Sequence, residues 1–136
     1  MRPSRLTIAA TAVLALEAVA LLVVTLGEVF GLSSGAATSL PSALGLIGLS
    51  AVGAVGLAAL ALAVLRGRSF GRSGGMVAQI LAIAVALSAL TVRPFPVAFV
   101  LALLVPGVIG AVLLFLLTRR AGLEARRRAD AEQQDD

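Results

Sequence analysis

The chain of 136 residues contains no cysteine, histidine, tryptophan, tyrosine or lysine. Without cysteine there is no disulfide, no thiolate nucleophile and no cysteine-held cluster. Without histidine the commonest general base and the commonest metal ligand are missing. The missing Trp and Tyr remove the aromatic belt that usually seats membrane helices at the interface, so arginines and Phe30, Phe70 and Phe95 are expected to anchor helix ends. Charge is scarce as well. Only 13% of residues are charged, against roughly a quarter in an ordinary soluble domain. No metal site, cofactor or enzymatic activity is expected from this inventory, because hydrolysis needs a paired acid and base or a metal.

What is present is apolar. Sixty per cent of the residues are hydrophobic, more than a soluble protein of this length hides in one core. The net charge of +4 is carried by eleven arginines, and the pI of about 11.6 raises the question of nucleic acid. The arginines cluster beside apolar runs, however, as they do on the cytoplasmic flanks of membrane helices. The lipid bilayer is therefore the expected partner, and no nucleic acid.

Crossing about 30 Å of hydrocarbon takes about 20 apolar residues. Four segments qualify: Leu6–Leu26, Pro41–Leu65, Met76–Val92 and Val97–Leu117. Backbone exposed to lipid must bond internally, so each is read as a helix. The expected fold is an all-α, four-transmembrane-helix bundle over residues 1–117, followed by a charged cytoplasmic tail, 118–136. Arg2 and Arg5 precede the first span; Arg66, Arg68 and Arg72 join the second to the third. Arg119, Arg120, Arg126, Arg127 and Arg128 follow the fourth, and only Arg93 falls in the other two connections. That asymmetry predicts cytoplasmic N- and C-termini. Met1–Arg5 and its apolar run also resemble the start of a signal peptide. The run exceeds 20 residues, contains Glu17, and meets small residues suited to cleavage only around Gly35–Ala37, so an uncleaved span is expected.

Three connections follow from composition. Gly27–Leu40, rich in Gly, Ser and Thr, reads as a flexible outer loop before Pro41. Arg66–Gly75 reads as a basic inner loop, with Ser73 a candidate cap for the third helix. Val92–Pro96 reads as a tight outer turn that makes the third and fourth helices a hairpin. Gly74–Gly75 before a helix lacks a phosphate-loop pattern and is not read as an anion site.

Glu17 is the most informative residue. It lies eleven positions into its 21-residue span, about 16 Å deep, where an ionised carboxylate costs at least ~2.5 kcal/mol. It must be protonated, face the protein interior or meet a polar partner. It is thus a candidate proton or cation site, with Ser50 and Ser88 at depths suited to hydrogen-bond it and a carbonyl freed by Pro106 expected near the same depth. The plainer role is a structural bridge between helices, or a contact with another subunit. Gln79 is read as a helix–helix hydrogen-bond former. Glu28 and Arg93, the only charges expected outside, are a candidate pair.

A second signal is the stripe Gly45, Gly48, Gly56, Ala59 and Ala63, which falls within about 80° on the second helix at 100° per residue. Such a smooth face suits close packing, either within the chain or against itself or a larger membrane protein. Arg66, Arg68, Arg72, Arg119 and Arg120 are candidates for anionic lipid headgroups.

Two resemblances rest on these residues. Arg66-Gly-Arg-Ser-Phe-Gly-Arg72 leading to Gln79, with the Pro96 and Pro106 span behind it, resembles uncharacterised small four-span membrane proteins of high-GC Gram-positive bacteria. Phe70 stands where that pattern expects Trp. The resemblance implies topology and the bacterial plasma membrane, and no activity. Leu14-Ala-Leu-Glu17-Ala in the first of four short spans is similar to the small multidrug resistance transporters. That resemblance implies a homodimer in which Glu17 exchanges protons for cationic drugs, although this chain lacks the family's aromatic substrate cage. The composition itself favours a small non-enzymatic accessory or interaction subunit acting through helix packing, with a proton-coupled small transporter as the alternative. A reporter fused to the carboxyl end is expected to be active only when it requires the cytoplasm; activity confined to the far side of the membrane would reverse the orientation.

Overall fold

The structure is a computed structural model that describes residues 3–35, 39–91, 93–94 and 96–134. Four helices carry the chain: α1, Arg5–Ser33; α2, Leu40–Leu65; α3, Ser69–Ser88, closed by the 3-10 turn Ala89–Thr91; and α4, Val97–Gln134. All four are long and apolar enough to cross a membrane, and there is no strand among the described residues. The main contacts run around a ring, α1 to α2, α2 to α3, α3 to α4 and α4 back to α1. This up-and-down order gathers the start of α1, the α2–α3 turn and the charged part of α4 at one end of the bundle.

The described helices are longer than the apolar runs. Ser4 caps α1, its hydroxyl accepting the Thr7 amide at 3.1 Å, and α1 then continues through Gly27 and Gly31 to Ser33. The expected loop Gly27–Leu40 shrinks accordingly; its first seven residues are helical because nothing there breaks the backbone. At positions 27 and 31 a side chain would meet nothing within 4 Å. Residues 36–38 of that loop, with Arg2, Val92, Phe95, Asp135 and Asp136, lie outside the described residues. So do Ala36 and Ala37 of the cleavage candidate, Phe95 as an anchor and part of the Val92–Pro96 turn.

The basic segment Arg66–Gly75 is likewise mostly helix. Only Arg66, Gly67 and Arg68 turn the chain, with Gly67 at φ 70° and its amide donating to Val64 O at 2.9 Å. Arg68 occupies the N-cap of α3. Ser73 is therefore not a cap. It lies one turn inside, and its hydroxyl donates to Phe70 O at 3.2 Å. The glycines of this segment face neighbours instead of breaking the helix. A Cβ on Gly71 would stand 2.7 Å from Ala63 C, one on Gly74 2.6 Å from Leu60 Cδ2, and one on Gly75 3.0 Å from Leu114 Cδ1. The lack of a side chain is what lets α3 lie this close to α2 and α4.

Little is buried. One cluster near the arginine-bearing end joins Ala10, Leu14, Ala61, Val64 and Leu114; a second, between α3 and α4, holds Ala86, Ala89 and Val100. Large apolar side chains cover the outside, among them Leu16 (66% exposed), Leu49 (72%) and Phe30 (71%). At roughly 25 cal/mol per Å² of apolar surface, such a coat is unfavourable in water and costs nothing in hydrocarbon. The solvent of this fold is lipid.

Replacing Gly71 by Ala is expected to lower the melting temperature of the detergent-solubilised protein, followed by helical circular dichroism. Overpacking of this kind costs about 1–3 kcal/mol, whereas Gly31→Ala, with open space around it, is expected to melt at or above the parent. Equal melting of the two variants would contradict the close α2–α3 approach.

Candidate functional site: a carboxyl–amide pair inside the bundle

Gln79 is fully buried, an unusual state for an amide in an apolar helix. Its Nε2 donates to Glu17 Oε2 at 2.7 Å. The bond joins α1 to α3, which face one another across the ring and are not among the main packing pairs. Leu14 and Leu114 of the first cluster lie toward the arginine end, and the Ala86–Val100 cluster lies beyond. The pair is a single polar layer between two apolar ones.

The space for it comes from α4. A Cβ on Gly110 would lie 2.6 Å from Gln79 Cδ and 2.7 Å from its Nε2. Gly110 is thus the gap into which the amide folds, and only its hydrogen side chain leaves that gap open. One turn earlier, a Cβ on Gly107 would lie 3.1 Å from Ile83 Cγ1.

Hydrogen-bond accounting in the pair is incomplete. Glu17 Oε1 and Gln79 Oε1 are both buried and have no hydrogen-bond partner. An amide brings two N–H donors and one carbonyl acceptor; an ionised carboxylate brings acceptors only. A proton on Glu17 supplies the one donor that the two spare oxygens lack. It also removes a charge that would cost at least ~2.5 kcal/mol at this depth. The chemistry open to the site is holding and releasing one proton.

The structure redistributes the other candidates. Ser50 does not reach Glu17: its hydroxyl donates to Glu28 Oε1 at 3.3 Å, joining α1 to α2 nearer the opposite end. Glu28, read beside Arg93 in the sequence, is therefore engaged by Ser50. Ser88 turns back on its own helix, donating to Val85 O at 2.8 Å. Both serines were placed by depth alone, and depth does not say which way a helix face points. Pro106 sits within α4 and removes the donor for the carbonyl of Ala102. That carbonyl is eight residues from Gly110, about 12 Å along the helix, so it does not serve the pair. Gln79 was legible as a hydrogen-bond former, but its partner was not; Gly110 gave no signal at all.

Comparison with known protein families, curated proteins and solved structures finds no match for this chain. What the site does must be read from its own geometry.

The remaining candidates sit at the surface of the bundle. Gly45, Gly48 and Gly56 have open space around them, Ala59 is exposed, and of the stripe only Ala63 is buried, against Gly71. Packing within the chain mostly uses the other side of α2, where a Cβ on Gly53 would lie 3.1 Å from Leu21 Cδ1 and Ala54 and Ala61 are buried. Arg66 caps the end of α2 and Arg68 the start of α3; Arg72 donates to Gly67 O at 3.2 Å; Arg119 and Arg120 are exposed on α4.

A double-mutant cycle on Glu17→Ala and Gln79→Leu is expected to show coupling of about 0.6–1.7 kcal/mol, the range for hydrogen bonds between membrane helices, read as detergent melting or unfolding free energy. Gly110→Ala should destabilise although alanine favours a helix by about 1 kcal/mol over glycine. Additive effects in the cycle, with a neutral Gly110→Ala, would show that the bond does not form.

Proposed function

We propose that the protein is a small non-enzymatic integral membrane protein that serves as an interaction subunit, presenting the outer face of α2 to a transmembrane helix of a larger membrane protein. The observation that carries this reading is the position of the small-residue stripe. Gly45, Gly48, Gly56 and Ala59 turn away from the bundle, with nothing of the chain within 4 Å of a Cβ at any of the three glycines. Val52, 71% exposed, stands between Gly48 and Gly56, one turn from each. Helices in lipid associate by backbone approach and van der Waals contact, since burial of apolar surface gives them no drive. A knob between two smooth positions offers that kind of contact, and the Glu17–Gln79 bond ties α1 to α3 behind it. The arginine-bearing end is assigned to the cytoplasmic side from the charge asymmetry, and the membrane to a bacterial plasma membrane from the four-span resemblance.

A second reading has its own observation. The spare oxygens of Glu17 and Gln79 fit a proton-coupled small transporter working through Glu17 in a homodimer.

A photoreactive residue at Val52, with one at lipid-facing Val112 as control, separates the two. The subunit reading expects a discrete adduct with a different membrane protein from position 52 and none from 112. It also expects no proton-linked flux in proteoliposomes, with or without Glu17→Gln. Adducts only with the chain itself, together with flux abolished by Glu17→Gln, would establish the transporter instead. Lipid adducts alone from position 52 would sink the subunit reading.

A further inference from the structure

Between α3 and α4, at the arginine-bearing end, an open groove is lined by Ser69, Phe70, Arg72, Ser73, Met76 and Phe115, with Thr118 at its edge. Its composition changes along one turn of each helix. On α3, Ser69, Arg72 and Ser73 give way to Met76; on the antiparallel α4, Thr118 gives way to Phe115. The mouth is charged and hydroxylated and the floor is apolar, at the level where the spans leave hydrocarbon.

Arg72 is positioned for this mouth. Its Nη1 donates to the Gly67 carbonyl at 3.2 Å, which holds the guanidinium in place. A guanidinium has five N–H donors, so most remain free for an anion. The first turn of α3 adds to the field, because Arg68 at the N-cap makes no side-chain capping bond and leaves early amides unfilled. Arg66, Arg68 and Arg119 stand on the adjoining turns. No carboxylate is among the lining residues. Phe70 and Phe115, 57% and 58% exposed, flank the floor with flat apolar surface.

The geometry points to a site for one anionic glycerophospholipid, its phosphate on Arg72 and the first part of an acyl chain along Met76 and Phe115. A free phosphate fits the mouth alone, and a zwitterionic lipid fits the floor while adding a cation to an already positive mouth. The site is independent of the α2 face and of Glu17.

Native mass spectrometry of the full chain in mild detergent tests this with phosphatidylglycerol and phosphatidylcholine titrated separately. One phosphatidylglycerol is expected to be retained in preference to phosphatidylcholine. Arg72→Gln should weaken it by about fivefold, the effect of one basic residue near a membrane surface, and Arg72→Lys should recover part of the loss. Phe115→Ala should weaken both lipids, and excess inorganic phosphate should not displace the bound lipid. Arg127→Gln with Arg128→Gln, a charge change in the distal part of α4, should leave retention unchanged. Equal retention of the two lipids would overturn the site. So would a loss that follows the distal charges as closely as Arg72, since attraction would then be diffuse. Unchanged melting of Arg72→Gln separates lost binding from lost fold; if that variant melts early, the lysine variant and the phosphate competition decide.

Discussion

Hydrocarbon offers no hydrogen bonds, and that constraint shapes each level of this protein. The backbone meets it by forming helices whose amides bond within themselves. Side chains meet it in the same way where they can: Ser88, Thr25 and Thr118 return their hydroxyls to carbonyls of their own helices. Glu17 and Gln79 cannot, because a carboxyl and an amide are too rich in polar atoms for one helix to satisfy. They find each other across the ring, and the bond between them fixes how α1 and α3 are rotated. Two oxygens of the pair, Glu17 Oε1 and Gln79 Oε1, are left without a hydrogen-bond partner.

Close approach is the second organising fact. With so little buried volume, helices gain cohesion by bringing backbones together, and glycine allows that at Gly53, Gly71, Gly75, Gly107 and Gly110. Glycines of the same composition at Gly45, Gly48 and Gly56 touch nothing in the chain. The two sets have the same chemistry and opposite settings. One is spent on the fold; the other faces away from it.

The ends of the bundle follow a different physics. Arginines mark one end because moving them through hydrocarbon is costly, and the short turn at Gly67 keeps Arg66, Arg68 and Arg72 within a few residues of one another. Topology alone accounts for their number. It does not account for the setting of Arg72, tied to a carbonyl beside an aromatic floor, which is a feature of the hairpin.

The number of helices, their spans and the crowding of arginine at alternate connections were legible in the sequence, because each depends on local composition over about 20 residues. So was the singularity of Glu17, a carboxyl where hydrocarbon penalises one. Helix ends were less legible: Gly-rich stretches such as Gly71–Gly75 look like loops until a neighbouring helix is known to need the space. Partnership was not legible at all. That Glu17 meets Gln79 and not Ser50 or Ser88, that Gly110 opens room for the amide, and that the stripe on α2 faces outward at every position but Ala63 all depend on helix rotation. Rotation is set by how four surfaces fit together, and a lipid-facing side and a protein-facing side are equally apolar, so only the tertiary structure tells them apart.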